Sequence, residues 1–369
     1  MKIGILGGGQ LGRMLIQEAL KYDDEWFTLD PAPDAPCEKI SNQTLGDFAD
    51  YDTVLNFGAG KDVLSIEIEH VNVSALYELR NSGVKIIPSP EIIETIQQKI
   101  LQKQFYFENN IPSPEFQVIQ SKSDVDFPLP FVQKANTGGY DGKGVQVIRT
   151  EDDLENLWDV ASVLETLVDI DKELSVIVAI NENGETAQFP VTEMVADPQL
   201  NLLDFNICPA DTDDSTQSQI EDVVQKFIEA AKSPGLFAIE LFLDKSGKVW
   251  VNETAPRLHN SGHQSQEGNA NSQFEQLYRV LRNLPLADTS AQGFSGMLNL
   301  VGEAGYAGKV LYQGIDKVLE VPRTYVHLYG KTETKPGRKM GHINVLADSR
   351  DELLAKLAYV KSLVKVISQ

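Results

Sequence analysis

The 369-residue chain contains only two cysteines, Cys37 and Cys208, too few for a disulfide framework or a cysteine-based metal site. It has no apolar run of about 20 residues, so the sequence predicts no membrane-spanning helix. Its first residues, MKIGILGGGQLG, place glycines where a signal peptide would be cleaved. Basic residues are also scarce, since 32 Lys and Arg face 54 Asp and Glu for a net charge of −22. These absences predict a cytoplasmic protein that binds neither nucleic acid nor an anionic membrane surface.

The first 90 residues alternate short apolar strands with amphipathic helices, which predicts a parallel sheet with right-handed crossovers. Strands are predicted at 2–6, 25–29, 63–68 and 84–87, and helices at 10–22 and 73–81. Later residues contain more hairpins, including one that turns at 245–248, as in an α+β domain. We predict domains at 1–90, 91–285 (with a lid at about 112–170) and 286–369. The acidic segment 211–218 is predicted to be an exposed loop before a helix at 220–232.

Gly7, Gly9 and Gly12 form the pattern G-x-G-x-x-G between the first strand and the first helix, and Asp30 ends the next strand. This is the context of a dinucleotide-binding fingerprint, so the pattern permits an NAD(P)-dependent oxidoreductase. The alternative is a tight turn that serves the fold or binds another phosphate. The proline-rich segment 31–36 after Asp30 would crowd a ribose and favours this alternative.

A second glycine-rich segment, TGGYDGKG at 137–144, follows a strand that carries Lys134. Its backbone amides are suited to wrapping phosphates, and Lys134 and Lys143 would supply positive charge. The segment therefore favours nucleotide binding over a plain hairpin with two solvated lysines. Since the chain lacks G-x-x-x-x-G-K-[ST], it is not a P-loop protein.

Two glutamates, Glu240 and Glu253, lie on the two strands of the predicted hairpin. Strand alternation places Glu240 on the face away from its apolar neighbours, so the two carboxylates could converge across the hairpin. Paired carboxylates with phosphate oxygens are a usual ligand set for Mg²⁺. The alternative is a pair of solvated side chains on an exposed face. The polar segment RLHNSGH at 257–263 follows directly and favours the functional interpretation.

The five histidines lack metal-binding spacing, and we predict structural roles for four of them, His70, His263, His327 and His342. The C-terminal segment YGKTETKPGRKMGH at 329–342 is rich in basic residues within an acidic chain. A solvated basic loop is one explanation. A pocket for a monophosphate is the interpretation that we favour.

These segments occur in one order: GGGQLGRML, DPAPDAPC, IEIEHV, KANTGGYDGKG, AIELF, NETAPRLHNSGH, NSQFEQ and YGKTETKPGRKMGH. Together they resemble the 5-(carboxyamino)imidazole ribonucleotide synthase family over nearly the whole chain. The resemblance implies an ATP-grasp fold with an N-terminal Rossmann-like parallel-sheet domain and a small β-rich C-terminal domain. It also implies a homodimer.

The resemblance implies that ATP, bicarbonate and 5-aminoimidazole ribonucleotide react to give the carboxyamino ribonucleotide, ADP and phosphate, with Mg²⁺ as cofactor. Bicarbonate would attack the γ-phosphate to give carboxyphosphate. The substrate amine would then capture the carboxyl group, as CO₂ released in the closed site. Positioning, charge neutralisation and exclusion of water would do most of the catalytic work.

The resemblance also assigns roles to individual residues. The implied ATP-binding residues are Lys99, Lys134, Gly139, Tyr140, Asp141, Gly142, Lys143, Gly144, Val145, Glu165, Thr166, Leu167, Val168, Glu173, Asn252 and Glu253. The implied ribonucleotide-binding residues are Glu67, Glu69, Tyr140, Asp141, Lys143, Arg257, His259, Lys331 and Arg338. Mg²⁺ would be bound by Glu240 and Glu253, and the implied catalytic residues are Asp141, Lys143, Arg257 and His259.

Some positions depart from the family pattern. Gln98-Lys99 stands where Asp-Arg is common, and lysine lacks the bidentate fork of arginine. Ala196 replaces a histidine that many members have near the nucleotide, and Gln264-Ser265 replaces Trp-Thr. Three alternatives stay open at this point: another ATP-grasp ligase or carboxylase, the NAD(P)-dependent oxidoreductase, and a nucleotide-binding protein without turnover.

Overall fold

A computed structural model describes residues 1–138, 144–197 and 202–369 of the chain. The N-terminal elements are β1 (Lys2–Leu6), α1 (Gln10–Ala19), β2 (Glu25–Asp30), β3 (Asn42–Leu45), α2 (Tyr51–Gly58), β4 (Val63–Ile66), α3 (Val73–Asn81) and β5 (Lys85–Ile86). The strands form one parallel sheet in the order β3-β2-β1-β4-β5. The predicted parallel sheet is thus confirmed, although α1 ends at Ala19 rather than at Tyr22.

Helix α1 forms because its apolar residues recur at helical spacing and face the core. Leu11, Met14 and Leu15 are buried on this face, and its first turn begins directly after the glycine-rich turn. Helices α2 and α3 are capped by side chains that accept from backbone N–H groups of the first turn, Asp50 from Thr53 and Asn72 from Ala75. These caps fix where each crossover helix begins.

Two helices lead from the N-terminal sheet to a small antiparallel sheet, the lid sheet. These elements are α4 (Pro90–Gln97), α5 (Lys99–Glu108), β6 (Phe116–Ile119), β7 (Phe131–Ala135), β8 (Val145–Ile148) and β9 (Ser162–Thr166), with 3₁₀ turns at Lys122–Asp124 and Glu151–Asn156. The strands are ordered β6-β9-β7-β8 and cover a small core around Phe131 and Leu164. In the sequence, the glycine-rich segment lies between β7 and β8.

The remaining elements belong to the middle and C-terminal parts of the chain. They are β10 (Ile170–Ile180), β11 (Thr186–Gln188), β12 (Thr192–Asp197), β13 (Leu202–Ile207), α6 (Asp214–Ala231), β14 (Gly235–Asp244), β15 (Val249–Ala255), a 3₁₀ turn at Asn260–Gly262, α7 (Ser265–Gly268), α8 (Gln273–Leu281), β16 (Phe294–Val301), β17 (Gly308–Gln313), α9 (Ile315–Leu319), β18 (Thr324–Leu328), β19 (Glu333–Thr334), β20 (Lys339–Ala347), α10 (Arg350–Leu363) and β21 (Lys365–Ser368).

A continuous sheet in the order β15-β14-β10-β12-β13-β16-β20-β18 joins the middle part to the C-terminal part, and β11 pairs with β10. A smaller sheet has the order β19-β17-β21. Helix α10 packs on β16 and β20 over a core that includes Leu298, Ile343 and Leu357. None of the helices in the three described ranges is long and apolar enough to cross a membrane.

The predicted exposed loop at 211–218 is wrong in its second half. Helix α6 already begins at Asp214, because the Asp213 side chain caps it by accepting a hydrogen bond from the Thr216 backbone N–H. The acidic and serine-rich composition therefore marks the first turns of a helix as well as the loop before it.

Helix α1 packs against helix α8 and joins the N-terminal sheet to the middle part of the chain. Tyr22 and Tyr278 stack there with ring centroids 4.3 Å apart, and Leu15 and Leu277 belong to the same buried cluster. This shared core fixes the glycine-rich turn before α1 beside the polar segment 257–263 before α8.

Candidate active site

The glycine-rich turn between β1 and α1 binds carboxylates of its own domain. The Gly8 N–H donates to Asp30 Oδ2 at 2.8 Å, and the N–H groups of Gly9 and Gly12 donate to the two oxygens of Glu67. Glu67 follows β4 and lies over the start of α1. The anion that these backbone amides hold is therefore the Glu67 side chain.

The spacing of the glycines follows from the position of Glu67. A Cβ atom at Gly7, Gly9 or Gly12 would overlap atoms of the Glu67 side chain. Of these three glycines, only Gly7 has a positive φ, at +104°. At Gly9 and Gly12 a side chain is excluded because the backbone lies too close to the Glu67 side chain. The pattern that predicts a dinucleotide site is thus explained by an internal carboxylate.

Burial of Glu67 raises the pKa of its carboxyl group to about 7, although the N–H groups of Gly9 and Gly12 act in the opposite direction. The family resemblance implied that Glu67, Glu69 or both meet the ribonucleotide. Both oxygens of Glu67 are instead engaged with backbone amides.

Replacing Gly9 with alanine is expected to lower the free energy of unfolding by about 2–4 kcal/mol, because the new Cβ displaces Glu67 and leaves two buried N–H groups unpaired. Chemical denaturation measures this loss. Gly60→Ala is the control, since its Cβ would enter open space and only the positive φ of +74° costs stability there. Equal losses in the two variants would contradict the role given to Glu67.

Glu69 pairs with Arg257 rather than with the glycine-rich turn. Glu69 Oε1 lies 2.8 Å from Arg257 Nη2, while Nη1 of the same guanidinium donates to the Leu258 carbonyl at 2.8 Å. Arg257 Nε and the side-chain amide of Asn260 are buried without hydrogen-bond partners among the described residues. Buried polar groups without partners cost free energy, so this position is suited to a polar ligand. Sequence reasoning missed Asn260, although it lies inside the polar segment that drew attention.

The predicted metal ligands Glu240 and Glu253 lie directly opposite one another on β14 and β15. Glu253 forms an ion pair with Lys99, which is the main reason why the pKa of Glu253 falls to about 2. Glu240 lies 3.1 Å from His259 Nε2 and 3.5 Å from the Asn252 amide nitrogen. Both carboxylates therefore face the same polar space.

This pair fits a magnesium ion only together with a phosphate ligand. No group of three or more His, Cys, Asp or Glu side chains with metal-binding geometry occurs within the described residues. Mg²⁺ commonly uses one or two carboxylates and completes its shell with substrate phosphates and water. Glu240 and Glu253 meet that requirement, since neither is held in a complete protein cage.

Lysines and a buried glutamate form a cluster beside the metal pair. Glu165 Oε2 lies 3.0 Å from Lys134 Nζ and 3.2 Å from Lys103 Nζ, and Lys134 also donates to Asn252 Oδ1 at 2.8 Å. The two lysines hold the pKa of Glu165 below its usual range against the opposing effect of its burial. Burial lowers the pKa of Lys103 to about 8.

Sequence reasoning missed Lys103, which lies one helical turn after Lys99 on α5. That spacing of four places both on one helix face, and it was the available signal. Glu165 was predicted to hold the adenine together with Thr166, Leu167 and Val168. Its side chain instead lies in the lysine cluster, so an adenine contact at Glu165 would come from its backbone.

Glu173 lies on β10. Burial raises the pKa of its carboxyl group, and the negative charge of nearby Glu240 raises it further. Gly144 has a φ of +79°, and Val145 is exposed at the start of β8. Five predicted residues, Gly139, Tyr140, Asp141, Gly142 and Lys143, lie outside the described residues.

His259 links the metal pair to the polar segment. Its Nε2 faces Glu240, while its Nδ1 lies 2.9 Å from Ser261 Oγ and accepts from the Ser261 N–H at 3.3 Å. Since Nδ1 accepts, the neutral ring carries its proton on Nε2 and donates it to Glu240. His259 is thus held in one orientation toward the proposed metal site.

The basic C-terminal segment reaches the N-terminal domain. Thr332 Oγ1 donates to Asp34 Oδ2 at 3.3 Å, and Gly330 lies against the guanidinium of Arg13. Lys331 donates to the Lys339 carbonyl at 2.7 Å. Arg338 binds the Glu333 carbonyl at 2.7 Å within the same segment. The structure therefore brings Lys331 near the glycine-rich turn, and it adds Arg13, which sequence reasoning did not single out.

Family models match three successive parts of the chain. They are the ribonucleotide synthetase preATP-grasp domain at residues 1–97, the ATP-grasp domain at 104–274, and the phosphoribosylaminoimidazole carboxylase C-terminal domain at 295–356. With the sheets and charged clusters described above, they define an ATP-grasp ligase, which confirms the predicted fold class. The domain boundaries at 90 and 285 stay predictions.

Solved structures and curated relatives show which ATP-grasp ligases the chain is similar to. The N5-carboxyaminoimidazole ribonucleotide synthetase of Thermotoga maritima is 41% identical, with a TM-score of 0.92 over 100% of this chain and 99% of that one. The Aspergillus clavatus synthase, solved with ADP and 5-aminoimidazole ribonucleotide, is 32% identical, with a TM-score of 0.89 over 98% of each chain. The Synechococcus elongatus synthase is 34% identical over 93% of this chain and 89% of that protein.

The chain belongs to the N5-carboxyaminoimidazole ribonucleotide synthase family. This membership confirms the predicted family and rules out the NAD(P)-dependent oxidoreductase that the glycine pattern permitted. The chain spans 66% of the length of several fungal relatives named phosphoribosylaminoimidazole carboxylase.

Proposed function

We propose that the chain carboxylates 5-aminoimidazole ribonucleotide with bicarbonate at the expense of ATP, a step of purine biosynthesis. The products are 5-(carboxyamino)imidazole ribonucleotide, ADP and phosphate. The observation that supports this proposal is that Lys99 pairs with Glu253, Glu253 lies opposite Glu240, and Glu240 lies beside His259. A cation, two carboxylates and an imidazole, which are suited to binding phosphate, metal and substrate, therefore adjoin one another.

The ATP phosphates would lie over the lysine cluster. Lys99 and Lys134 are now paired with Glu253 and Glu165, so both cations lie beside the opposed carboxylates. Binding of a polyphosphate would give these cations anionic partners in place of side chains. The glycine-rich segment 139–144 would close over the phosphates, as the sequence predicts. The end of β9 and Glu173 would hold the adenine and the ribose.

Glu240 and Glu253 would hold Mg²⁺ together with phosphate oxygens. When bound there, the ion would neutralise charge on the transferring phosphoryl group. The side-chain amide of Asn252 lies between Glu240 and Lys134 and contacts both, so it orients both side chains. The chain's own contribution at this end is to fix the carboxylates and exclude water.

The two chemical steps need positioned groups more than covalent help from the protein. A bicarbonate oxygen attacks the γ-phosphorus as the bond to ADP breaks, and carboxyphosphate forms. The bond between the carboxyl carbon and the phosphate oxygen then breaks to give CO₂ and phosphate in the closed site, and the substrate amine bonds to the carbon of CO₂ and loses a proton. Arg257 and His259 would bind and orient the anionic carboxyphosphate, next to the side-chain amide of Asn260, which has no partner among the described residues. Asp141 and Lys143 stay predicted catalytic residues.

The ribonucleotide would bind between the N-terminal domain and the C-terminal segment. Glu69 and Arg257 would face its base, and Lys331 and Arg338 would bind its phosphate. Glu67 would act indirectly by holding the glycine-rich turn. Tyr140, Asp141 and Lys143 are predicted to close over the imidazole. We also propose a homodimer and a cytoplasmic location, for which the family resemblance and the composition are the support.

The proposal is tested by phosphate release from purified protein with ATP, Mg²⁺ and bicarbonate. Turnover is expected to depend on 5-aminoimidazole ribonucleotide and to stop when EDTA removes the metal. Other amine acceptors, such as glycinamide ribonucleotide, serve as controls. Turnover with another acceptor but not with 5-aminoimidazole ribonucleotide would indicate a different ATP-grasp ligase, and ATP binding without turnover would indicate a sensor.

A further inference from the structure

Gln273, the first residue of α8, is fully buried and holds the backbone of His259. Its Oε1 accepts from the His259 N–H at 3.0 Å, and its Nε2 donates to the His259 carbonyl at 2.8 Å. The side-chain amide thus binds both backbone polar groups of one residue, as a neighbouring strand would.

The His259 backbone needs a side-chain partner because His259 lies beyond the end of β15, where no neighbouring strand among the described residues pairs with it. Strand β15 ends at Ala255, and the 3₁₀ turn begins only at Asn260. Apart from the contact between its carbonyl and the Gly262 N–H at 3.1 Å, the backbone of His259 is held by Gln273. Gln273 therefore holds the backbone from which the imidazole reaches Glu240, while Ser261 holds the ring itself.

The orientation of the Gln273 amide is fixed by a third contact. Its Nε2 lies 3.1 Å from His263 Nδ1, and burial lowers the pKa of His263 well below its usual value. A neutral His263 can accept the second N–H of the amide, so both donors and the acceptor of Gln273 are used. His263 in turn packs on the ring of His342, with centroids 4.8 Å apart. The structural role predicted for His263 is therefore to fix the orientation of the Gln273 amide.

The polar segment packs directly on Gln273, with no room for adjustment. A Cβ atom at Gly262 would lie 2.9 Å from Gln273 Cδ. An unbranched side chain of different polarity at 273 would keep the shape but would release the His259 backbone.

We propose that Gln273 is a positioning residue for the carboxylation, holding His259 where it meets Glu240 and the reacting carboxyl group. The inference rests on the proposed function. Because Gln273 is buried and its hydrogen bonds are to His259, His263 and Ser265 rather than to the groups proposed to bind ATP, its loss should lower kcat while the Michaelis constant for ATP stays unchanged.

The test compares Gln273→Met with Gln276→Met. Gln276 lies one turn further along α8, is equally buried, and binds the Ala287 N–H at 2.8 Å and the Ala287 carbonyl at 3.4 Å. The two variants therefore remove the same kind of clamp from the same helix, but only one clamp acts on His259. Thermal melting shows whether each variant is folded at the assay temperature.

We expect Gln273→Met to lower kcat by about 10- to 100-fold, as misplacing a reacting group does, and Gln276→Met to keep the wild-type kcat. A normal kcat in folded Gln273→Met, or an equal loss in both variants, would overturn the proposal. If Gln273→Met does not fold, Gln273→Glu serves in its place. That variant keeps the acceptor for the His259 N–H and removes the donor to its carbonyl.

A second readout needs no substrate and separates this inference from the proposed function. In protein with ¹³C-labelled histidine, the ring signal of His259 is assigned by its loss in His259→Asn. It should move in Gln273→Met and stay in place in Gln276→Met. Absence of ribonucleotide-dependent turnover in the wild type would reject the function alone, whereas an unmoved His259 signal in Gln273→Met would reject the positioning role alone.

Discussion

Replacing Glu253 with glutamine is expected to lower ribonucleotide-dependent ATP turnover by a factor of about 1,000 or more while the fold persists. The carboxylate is ionised at neutral pH, because Lys99 lowers its pKa to about 2. Glutamine keeps the shape but cannot offer Mg²⁺ an anionic oxygen. Charge stabilisation by a metal contributes several kcal/mol to such a transfer, and each ~1.4 kcal/mol is a factor of ten in rate.

Glu193→Gln is the matched control for Glu253→Gln. Glu193 lies on β12 of the same sheet, and its carboxylate lies 2.9 Å from Arg350 and 3.8 Å from Lys172 rather than in the proposed metal pair. The Glu193→Gln variant should keep its turnover despite losing these ion pairs. Metal binding is measured separately by the electron paramagnetic resonance of Mn²⁺ with ADP present. Normal turnover and normal Mn²⁺ binding in Glu253→Gln would remove Glu253 from the metal site.

The carboxylate pair also shows how much the sequence alone predicts. Alternation along FAIELFL places Glu240 on the face opposite to its apolar neighbours. The turn at 245–248 alone would pair Glu240 with Asn252, and a β-bulge after Glu240 shifts the register so that Glu240 lies opposite Glu253. Four strands and two helices of the N-terminal part were predictable from their apolar pattern, but β3 and α2 were missed, and β3 (NQTL) has a polar sequence. The boundary of α6 was also missed, because an acidic cap and an acidic loop look alike in sequence.

Contacts between distant segments were beyond local sequence patterns. Glu67 and Glu69 are two residues apart in IEIEHV, yet one lies on the glycine-rich turn and the other on Arg257. Their difference depends on how β4 meets both α1 and the segment after β15. Lys103 was missed for a similar reason, since its partner Glu165 belongs to the lid sheet. The spacing of residues in the sequence shows which side chains share a face of a helix or strand. Tertiary packing determines which charged groups contact that face.

Replacing Arg338 with alanine is expected to raise the Michaelis constant for the ribonucleotide at least about ten-fold, with little change in that for ATP. Removing one charge-assisted hydrogen bond to a ligand costs about 1.5–3 kcal/mol, which is a factor of ten or more in affinity. Arg338 lies in the basic segment that contacts the N-terminal domain through Thr332 and Asp34. The lysine cluster proposed to bind ATP is built from other elements, α5 and β7.

Lys335→Ala is the control, because Lys335 has the same charge, lies three residues away, and is exposed. It should leave both Michaelis constants unchanged, so that a general loss of positive charge is separated from loss of a specific contact. Raising the salt concentration should weaken ribonucleotide binding in the wild type more than in Arg338→Ala, since the variant has one cation fewer to screen. An increase confined to the Michaelis constant for ATP would instead assign Arg338 to the nucleotide. The phosphate of the ribonucleotide would then need another partner, and the candidates are Lys331 in the same segment and Arg13, whose guanidinium lies against Gly330.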